Sequence, residues 1–330
     1  MSIRNSFSIE YLFVVTQALF VTVLWSSSWV IIKYGLEEVP PIFFSGLRYM
    51  TASILLVVVI FSKQEYRNTV INLNRKNWTQ LILYGLIFIA FTQGSMYIAL
   101  DLLPAITVSL VLNFTIFIVV ILSAFLLKEI PSIFQMIFIL IGLVGVIIYF
   151  YPINIPLNEL LGLVILCFGV LSNAISTILG RSVNRAKKIP PIIISGLSML
   201  FGSVLLLTLG FVLEDIPNLS LISIFYILWL SIVNTALAFT LWNKTMQKLR
   251  AMDSALINSA MLPQTVFLAL IFLGEIPNLL EWVGLVLLAG SMIIIQINQA
   301  KHEKVNNELF WMMSGTISHP IKETQIKKQV

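Results

Sequence analysis

Apolar residues along this chain are grouped into long runs rather than mixed evenly with polar residues. Apolar runs are separated by short polar segments, and each run has about the 20 residues that cross a bilayer core as a helix. Prolines mark several breaks, as at Pro40-Pro41 and Pro190-Pro191, where helices characteristically start or end. The pattern predicts an all-α integral membrane protein with ten transmembrane helices. Their approximate bounds are Tyr11–Ile32, Pro41–Phe61, Trp78–Leu100, Ala105–Leu127, Ile133–Tyr151, Leu160–Gly180, Pro191–Leu213, Leu219–Asn243, Ala251–Leu273 and Trp282–Ile297.

The composition narrows the class of protein further. Of the 330 residues, 58% are apolar and 11% are charged, whereas soluble domains have about 25% charged residues. Soluble enzymes and nucleic-acid-binding modules are therefore excluded, and the lipid bilayer is the predicted surrounding. A single cysteine, Cys167, excludes an intramolecular disulfide, and the only histidines, His302 and His319, lie near the C-terminus. No catalytic residue, cofactor or metal site is predicted, and no Walker A or His-Glu-x-x-His sequence is present.

The distribution of basic residues predicts the orientation. If the N-terminus is cytoplasmic, 18 of the 20 lysines and arginines fall in cytoplasmic segments, Lys33 falls outside and Arg48 lies within a span. Positive charge accumulates on the cytoplasmic side of membrane proteins. We therefore expect a multi-pass protein of the cell (inner) membrane with both termini and a tail, residues 298–330, in the cytoplasm. The net charge of +5 reflects this orientation rather than nucleic-acid binding.

The chain also contains an internal duplication. The segment from Pro40 to Leu47 recurs from Pro190 to Leu197 with six of eight positions identical, and Glu129-Ile130-Pro131 recurs 146 positions later as Glu275-Ile276-Pro277. These repeats predict two five-helix units, residues 11–151 and 156–297. Because five is odd, the two units have opposite orientations in the membrane. Inverted repeats are typical of alternating-access carriers, whose substrate site lies at the repeat interface.

These features resemble the EamA-type branch of the drug/metabolite transporter superfamily. The resemblance rests on the glutamates that end the fourth and ninth spans, in Leu126-Leu127-Lys128-Glu129 and Phe272-Leu273-Gly274-Glu275, and on Pro263 and Arg48. Phe117 stands where the family often has a second proline, which leaves the shape of the fourth span open. The resemblance implies a ten-helix carrier of a small metabolite, such as an amino acid or a derivative, and favours export.

Arg48 is the most informative candidate site residue. It lies seven positions after Pro41, about 10 Å into the membrane at 1.5 Å per helical residue. Charged residues at such depth usually face a cavity or a partner. Arg48 is therefore predicted to attract an anionic group of the substrate. The alternative is that it extends to the interface or pairs with Glu37, Glu38 or Asp101.

Polar and aromatic residues within the spans complete the predicted site. Side chains four positions apart share a helix face, which groups Gln93 with Tyr97 and Trp25 with Trp29. Unpaired amides are costly in hydrocarbon, so the amides within spans, Asn234 among them, require partners. The predicted substrate-binding residues are Arg48, Trp25, Trp29, Gln93, Tyr97, Asn113, Asn173 and Asn258. For the amides, structural bonds between helices are the alternative. Glu129 and Glu275 are expected to form hydrogen bonds across loops.

Three functions are consistent with the sequence. The first is a secondary carrier that moves a small-molecule substrate by alternating access, as a monomer or a homodimer and with an unknown coupling ion. The second is a flippase for a lipid or a lipid-linked sugar, which needs a lateral opening between helices. The third is an integral-membrane transferase, which the short loops disfavour.

Overall fold

The computed structural model describes residues 2–126, 132–152, 156–185, 189–246, 257 and 260–313, and within these ranges the protein is helical without strands. Two π-helical segments, π1 (Leu86–Gln93) and π2 (Ile232–Leu237), interrupt the α-helices. The α-helices are α1 (Ser2–Gly35), α2 (Pro41–Ser62), α3 (Gln64–Ile71), α4 (Arg75–Gly85), α5 (Gly94–Leu102), α6 (Ala105–Asn113), α7 (Thr115–Leu126), α8 (Ile133–Tyr149), α9 (Leu157–Arg185), α10 (Pro191–Leu213), α11 (Leu221–Ser231), α12 (Ala238–Met246), α13 (Met261–Phe272) and α14 (Leu279–Met313).

Six helices are long and apolar enough to cross a bilayer, and four shorter apolar helices accompany them. The long ones are Phe13–Gly35, Pro41–Ser62, Arg75–Leu102, Leu157–Gly180, Pro191–Leu213 and Leu221–Trp242. The shorter ones are Ala105–Val119, Ile133–Tyr149, Met261–Phe272 and Leu279–Ile295. Apolar side chains cover much of the outer surface of the bundle, which in water would drive aggregation. The chain is therefore an integral membrane protein.

Two helices start at the prolines from which the sequence predicted helix boundaries. Both α2 and α10 begin with proline at their first position, directly after a second proline. Proline is favoured there because its missing N–H has no intrahelical partner at that position. Helices α1 and α14 extend beyond the predicted spans, since α1 begins at Ser2 and α14 ends at Met313. Their apolar parts, Phe13–Gly35 and Leu279–Ile295, lie close to the predicted bounds.

The two π-helical segments begin at Leu86 and Ile232, which are 146 positions apart. A π-helix accommodates an extra residue in a helical turn and often marks a functional site. In each segment a threonine hydroxyl donates to the carbonyl five residues earlier: Thr92 over 3.0 Å and Thr235 over 2.8 Å. The sequence pattern does not predict these π-helical turns, and the two spans continue through them as Arg75–Leu102 and Leu221–Trp242.

Turn residues also lie at Phe114, between α6 and α7, and at Ala260, directly before α13. These positions are again 146 apart. At each, the backbone N–H donates to the carbonyl three residues earlier, over 3.0 Å at Phe114 and 3.1 Å at Ala260. Pro263, at the third position of α13, has no N–H to donate to the preceding turn. The turn at Phe114 forms although Phe117, which is fully buried, replaces proline.

Close packing between helices depends on glycine at a few positions. Helix α8 packs along α14, where a Cβ on Gly284 would lie 2.5 Å from the Gly145 carbonyl oxygen. Helix α4 packs against α10, where a Cβ on Gly85 would lie 2.2 Å from the Ser198 carbonyl oxygen. Small residues allow such close approach of helices in membranes.

Candidate substrate-binding site

Arg48 lies on the buried face of α2 with 4% of its side chain exposed. Its Nε–H donates to the Thr235 hydroxyl over 2.9 Å, and an Nη1–H donates to the Tyr97 hydroxyl over 3.1 Å. The guanidinium carbon also lies 5.2 Å from the ring centre of Tyr49, within the range of a cation–π contact. We call Arg48, Tyr49, Tyr97 and Thr235 the Arg48 cluster.

The second π-helical segment positions part of this cluster. The Thr235 hydroxyl donates its proton to the Leu230 carbonyl, so it meets Arg48 as an acceptor. One turn earlier, the Ser231 hydroxyl lies 2.9 Å from the backbone carbonyl oxygen of Arg48 and 2.6 Å from that of Ile227, and its single proton is shared between the two. The end of α11 therefore contacts the backbone of Arg48, and π2 contacts its side chain and fixes the direction of the guanidinium.

The hydrogen-bond donors of the cluster are only partly used. A guanidinium has five N–H donors, and two of them have partners among the described residues. Both partners are neutral hydroxyls, and Arg48 forms no ion pair with a carboxylate in the part of the chain that the structure describes. A buried cation without a counter-ion is costly. Its planar fork suits a carboxylate or another planar oxyanion.

The alternative for Arg48, pairing at the interface, is not the observed arrangement. Glu38 instead accepts hydrogen bonds from the hydroxyls of Ser220 and Ser223, and these bonds lower the pKa of its carboxyl group. Glu37 is exposed, and Arg48 is buried away from the surface. The side chain of Arg48 thus lies inside the helix bundle.

Of the other predicted site residues, Tyr97 is the one that the structure brings to Arg48. Tyr97 is fully buried, and its ring meets Phe44 edge-on at 5.3 Å. Trp25 packs against Phe239 and Trp242 of α12 at 5.3 and 5.2 Å. Its indole N–H is buried without a hydrogen-bond partner. The two tryptophans therefore line packed interfaces, since Trp29 belongs to the main apolar core.

The predicted amides are more dispersed. Asn113 donates to the Ser109 carbonyl of its own helix over 2.7 Å, and Asn173 of α9 donates to the Thr115 hydroxyl of α7 over 3.2 Å. Gln93 is half-buried at the end of π1. Asn258 lies outside the described residues. The alternative of a structural bond between helices describes Asn173, whereas Asn113 bonds within its own helix.

Asn234 is a site residue that the sequence did not favour over the other amides. It is fully buried in π2, and its amide nitrogen lies within hydrogen-bond distance of Ser28 Oγ at 2.9 Å and of the Leu24 carbonyl. Its Oδ1 has no partner among the described residues. Asn234 joins α1 to the segment that holds Arg48 through the neighbouring Thr235. Its position after an apolar run gave no signal for this role.

The expected hydrogen bonds of Glu275 across a loop are confirmed. Its two carboxylate oxygens accept the backbone N–H groups of Ala105 and Ile106 over 2.7 and 2.9 Å. Glu129 lies outside the described residues. Beside Glu275 a surface cavity of about 460 Å³ is lined by Lys33, Tyr34, Glu37, Leu102, Leu103, Pro104, Phe272, Leu273 and Glu275. The Lys33 ammonium there donates to two carbonyls at the end of α5.

No group of three or more metal-ligating side chains occurs among the described residues. The comparison with protein families is specific: the model of the EamA-like transporter family matches residues 12–151 and again residues 160–297. The chain belongs to the EamA-like transporter family. Members of this family are transporters.

Individual relatives are distant but cover most of the chain. A protein of Salmonella typhimurium named "Probable amino-acid metabolite efflux pump" is 24% identical over 291 residues, which covers 84% of this chain and 92% of the relative. "Uncharacterized transporter YoaV" of Bacillus subtilis is 23% identical, covering 72% and 80% respectively. A solved structure described as "Crystal structure of protein" matches with a TM-score of 0.62 at 17% identity, covering 87% of this chain and 98% of that one, which supports the fold.

Proposed function

We propose that this EamA-like transporter is a secondary carrier that moves a small metabolite bearing a carboxylate, such as an amino acid or a derivative, by alternating access. The observation that carries the proposal is the buried guanidinium of Arg48, held by two neutral hydroxyls and without a carboxylate partner among the described residues. A substrate anion would supply the missing charge. The efflux activity in the name of the Salmonella relative favours export.

The proposed architecture is ten transmembrane helices in two inverted five-helix units, residues 11–151 and 156–297. The family model matches twice, over nearly these ranges. The starts of the two π-helical segments are 146 positions apart, and the turns at Phe114 and Ala260 have the same spacing. Two units that share irregular backbone at equivalent positions are consistent with duplication. The basic residues favour cytoplasmic termini and tail, in the cell (inner) membrane.

The proposal is tested by counterflow in proteoliposomes with a panel of carboxylates and their methyl esters. Arg48→Ala should reduce transport of the carboxylates by about 100-fold, because hydrogen bonds to a charged group contribute about 1.5–3 kcal/mol each. Arg48→Lys should keep part of the rate, since the charge remains without the planar fork. Arg67→Ala, in the exposed helix α3, is the matched control and should behave as the wild type.

The ester comparison separates substrate binding from damage to the fold. The wild type should prefer each acid over its ester, and Arg48→Ala should lose that preference even if its overall rate falls for other reasons. Equal preference in wild type and Arg48→Ala would contradict the anion site. Scrambling of fluorescent lipids without counterflow of any solute would replace the carrier by the flippase.

A further inference from the structure

At one end of the bundle, carboxylates bind the N-termini of helices from the other half of the chain. Glu214, at the end of α10, accepts the backbone N–H groups of Ile42 and Phe43 over 2.9 and 2.7 Å, at the start of α2. Glu275, after α13, holds the first two amides of α6 in the same two-oxygen manner. The first amides of a helix lack intrahelical partners and carry the positive end of its dipole.

Glu38 makes the same kind of contact in the opposite direction. It follows α1 and accepts hydrogen bonds from the hydroxyls of Ser220, over 2.5 Å, and Ser223 at the start of α11. Next to it, the Tyr34 hydroxyl donates to the Phe272 carbonyl at the end of α13. We call the end of the bundle that carries Glu38, Glu214 and Glu275 the acidic end. Every one of these contacts joins the first half of the chain to the second.

Two of the three equivalent positions carry different residues, whereas the equivalent of Glu275 is also a glutamate, Glu129, which lies outside the described residues. A shift of 150 positions, the spacing of the Pro-Pro repeat, places Gln64 at the position of Glu214 and Lys188 at the position of Glu38. The Gln64 side chain bonds to Arg67 and Asn68 of its own helix, α3. Within the described ranges, the start of α10 receives no carboxylate, whereas the start of α2 receives Glu214.

We infer that Glu38, Glu214 and Glu275 form a latch that holds the acidic end closed and so biases the carrier toward the state open at the other end. The inference rests on the proposed alternating access, which requires the two halves to separate at one end at a time. Opening the acidic end must withdraw Glu214 from α2 and Glu275 from α6. Because Ile42 and Phe43 lie on the same helix as Arg48, release of the latch also frees the helix that carries the proposed anion site.

The test measures the separation of the two halves directly. Spin labels are placed on cysteines at Glu37 and Asn218, exposed positions of the two halves at the acidic end, in a Cys167→Ser background, and distances are measured in nanodiscs by double electron–electron resonance. The double variant Glu214→Gln/Glu275→Gln keeps side-chain size but removes both charges. It should enrich a longer distance, raising the ratio of open to closed protein by roughly tenfold, the equivalent of about 1.4 kcal/mol.

Glu281→Gln is the matched control. Glu281 is at the same end, but its carboxylate bonds to Asn278, the residue directly before its own helix α14, rather than to the other half. The spin-label distances in this variant should therefore equal those of the wild type. The single variants are measured first, to obtain a folded protein if the double variant is unstable. Unchanged distances in all three latch variants, or an equal shift in Glu281→Gln, would overturn the latch while normal wild-type counterflow leaves the carrier standing. Shifted distances without wild-type counterflow would support the latch and overturn the proposed carrier.

Discussion

Two helix contacts at equivalent places in the two halves differ in their chemistry. In one, Ser231 of α11 donates to the backbone carbonyl of Arg48 in α2. In the other, Gly85 of α4 lies against the carbonyl of Ser198 in α10, so close that a Cβ would be 2.2 Å away. Gly85 and Ser231 are 146 positions apart, and Arg48 and Ser198 are 150 apart. The two contacts therefore relate matching positions of the repeat.

The two contacts differ in what lies between the helices. At the Gly85 contact the helices meet backbone to backbone, with no polar side chain of α4 between them. At the Ser231 contact a hydroxyl separates the helices, and the following π2 turn brings Thr235 to the guanidinium. We interpret the Gly85 contact as structural and call it the packing copy. We interpret the Ser231 contact as the framework of the proposed anion site and call it the binding copy. The predictions below test this distinction.

The largest expected effect is on the packing copy. Gly85→Ala places a methyl group against the backbone of Ser198, and overpacking of this kind destabilises by about 1–3 kcal/mol or more. We expect a lower thermal unfolding midpoint in detergent and less folded protein. Gly290→Ala in α14 is the control, because a Cβ there meets nothing within 4 Å. A stable Gly85→Ala variant would contradict the close approach of α4 and α10.

The next effect concerns the binding copy. Tyr97→Phe removes the hydroxyl that accepts from Arg48 but keeps the ring against Phe44. A hydrogen bond to a charged group contributes about 1.5–3 kcal/mol, so we expect roughly a tenfold loss in kcat/KM for the carboxylate substrate. Tyr49→Phe should leave it unchanged, because Tyr49 contacts Arg48 through its ring. Equal losses in both variants would contradict the role of the Tyr97 hydroxyl.

Structural features that depend on local residues could be predicted from the sequence, whereas others could not. The starts of α2 and α10 were predicted at Pro41 and Pro191 because proline acts on its own helix. The depth of Arg48 followed from its distance to Pro41. The π-helical turns were missed, since Leu86 and Ile232 lie within spans that are apolar as a whole and an extra residue in a turn leaves that pattern unchanged.

The partners within the site could not be read from spacing. Tyr97 was a predicted cavity residue, but its contact with Arg48 depends on how α5 packs against α2. Thr235 gave no signal because hydroxyls are common in membrane helices, where they usually bond to their own backbone. Asn113 illustrates the reverse case: its amide looked available for substrate and bonds to its own helix instead.

A smaller effect separates the two serines of the comparison. Ser231→Ala removes hydrogen bonds to the carbonyls of Arg48 and Ile227 and should destabilise by about 1 kcal/mol. Ser198→Ala removes a buried hydroxyl that has no partner among the described residues, so it should be neutral or slightly stabilising. Thermal unfolding of both variants in detergent measures the difference. A greater loss in Ser198→Ala would mean that the packing copy also depends on a polar contact.

The smallest expected effect concerns Glu38, whose repeat position carries Lys188. Hydrogen bonds from Ser220 and Ser223 lower the pKa of the Glu38 carboxyl group. A carboxyl group with a lowered pKa stabilises the state that contains it above its ordinary pKa, and this contribution is lost as the pH falls through the lowered value.

Acidification on the side of the acidic end should therefore loosen the contact between α1 and α11. Because the carboxylate is exposed, the shift in spin-label distance between Glu37 and Asn218 should be slight, and Glu38→Gln should remove the Glu38 part of its pH dependence. A pH dependence that is unchanged in Glu38→Gln would assign it to another group and leave Glu38 as a contact without a titration role.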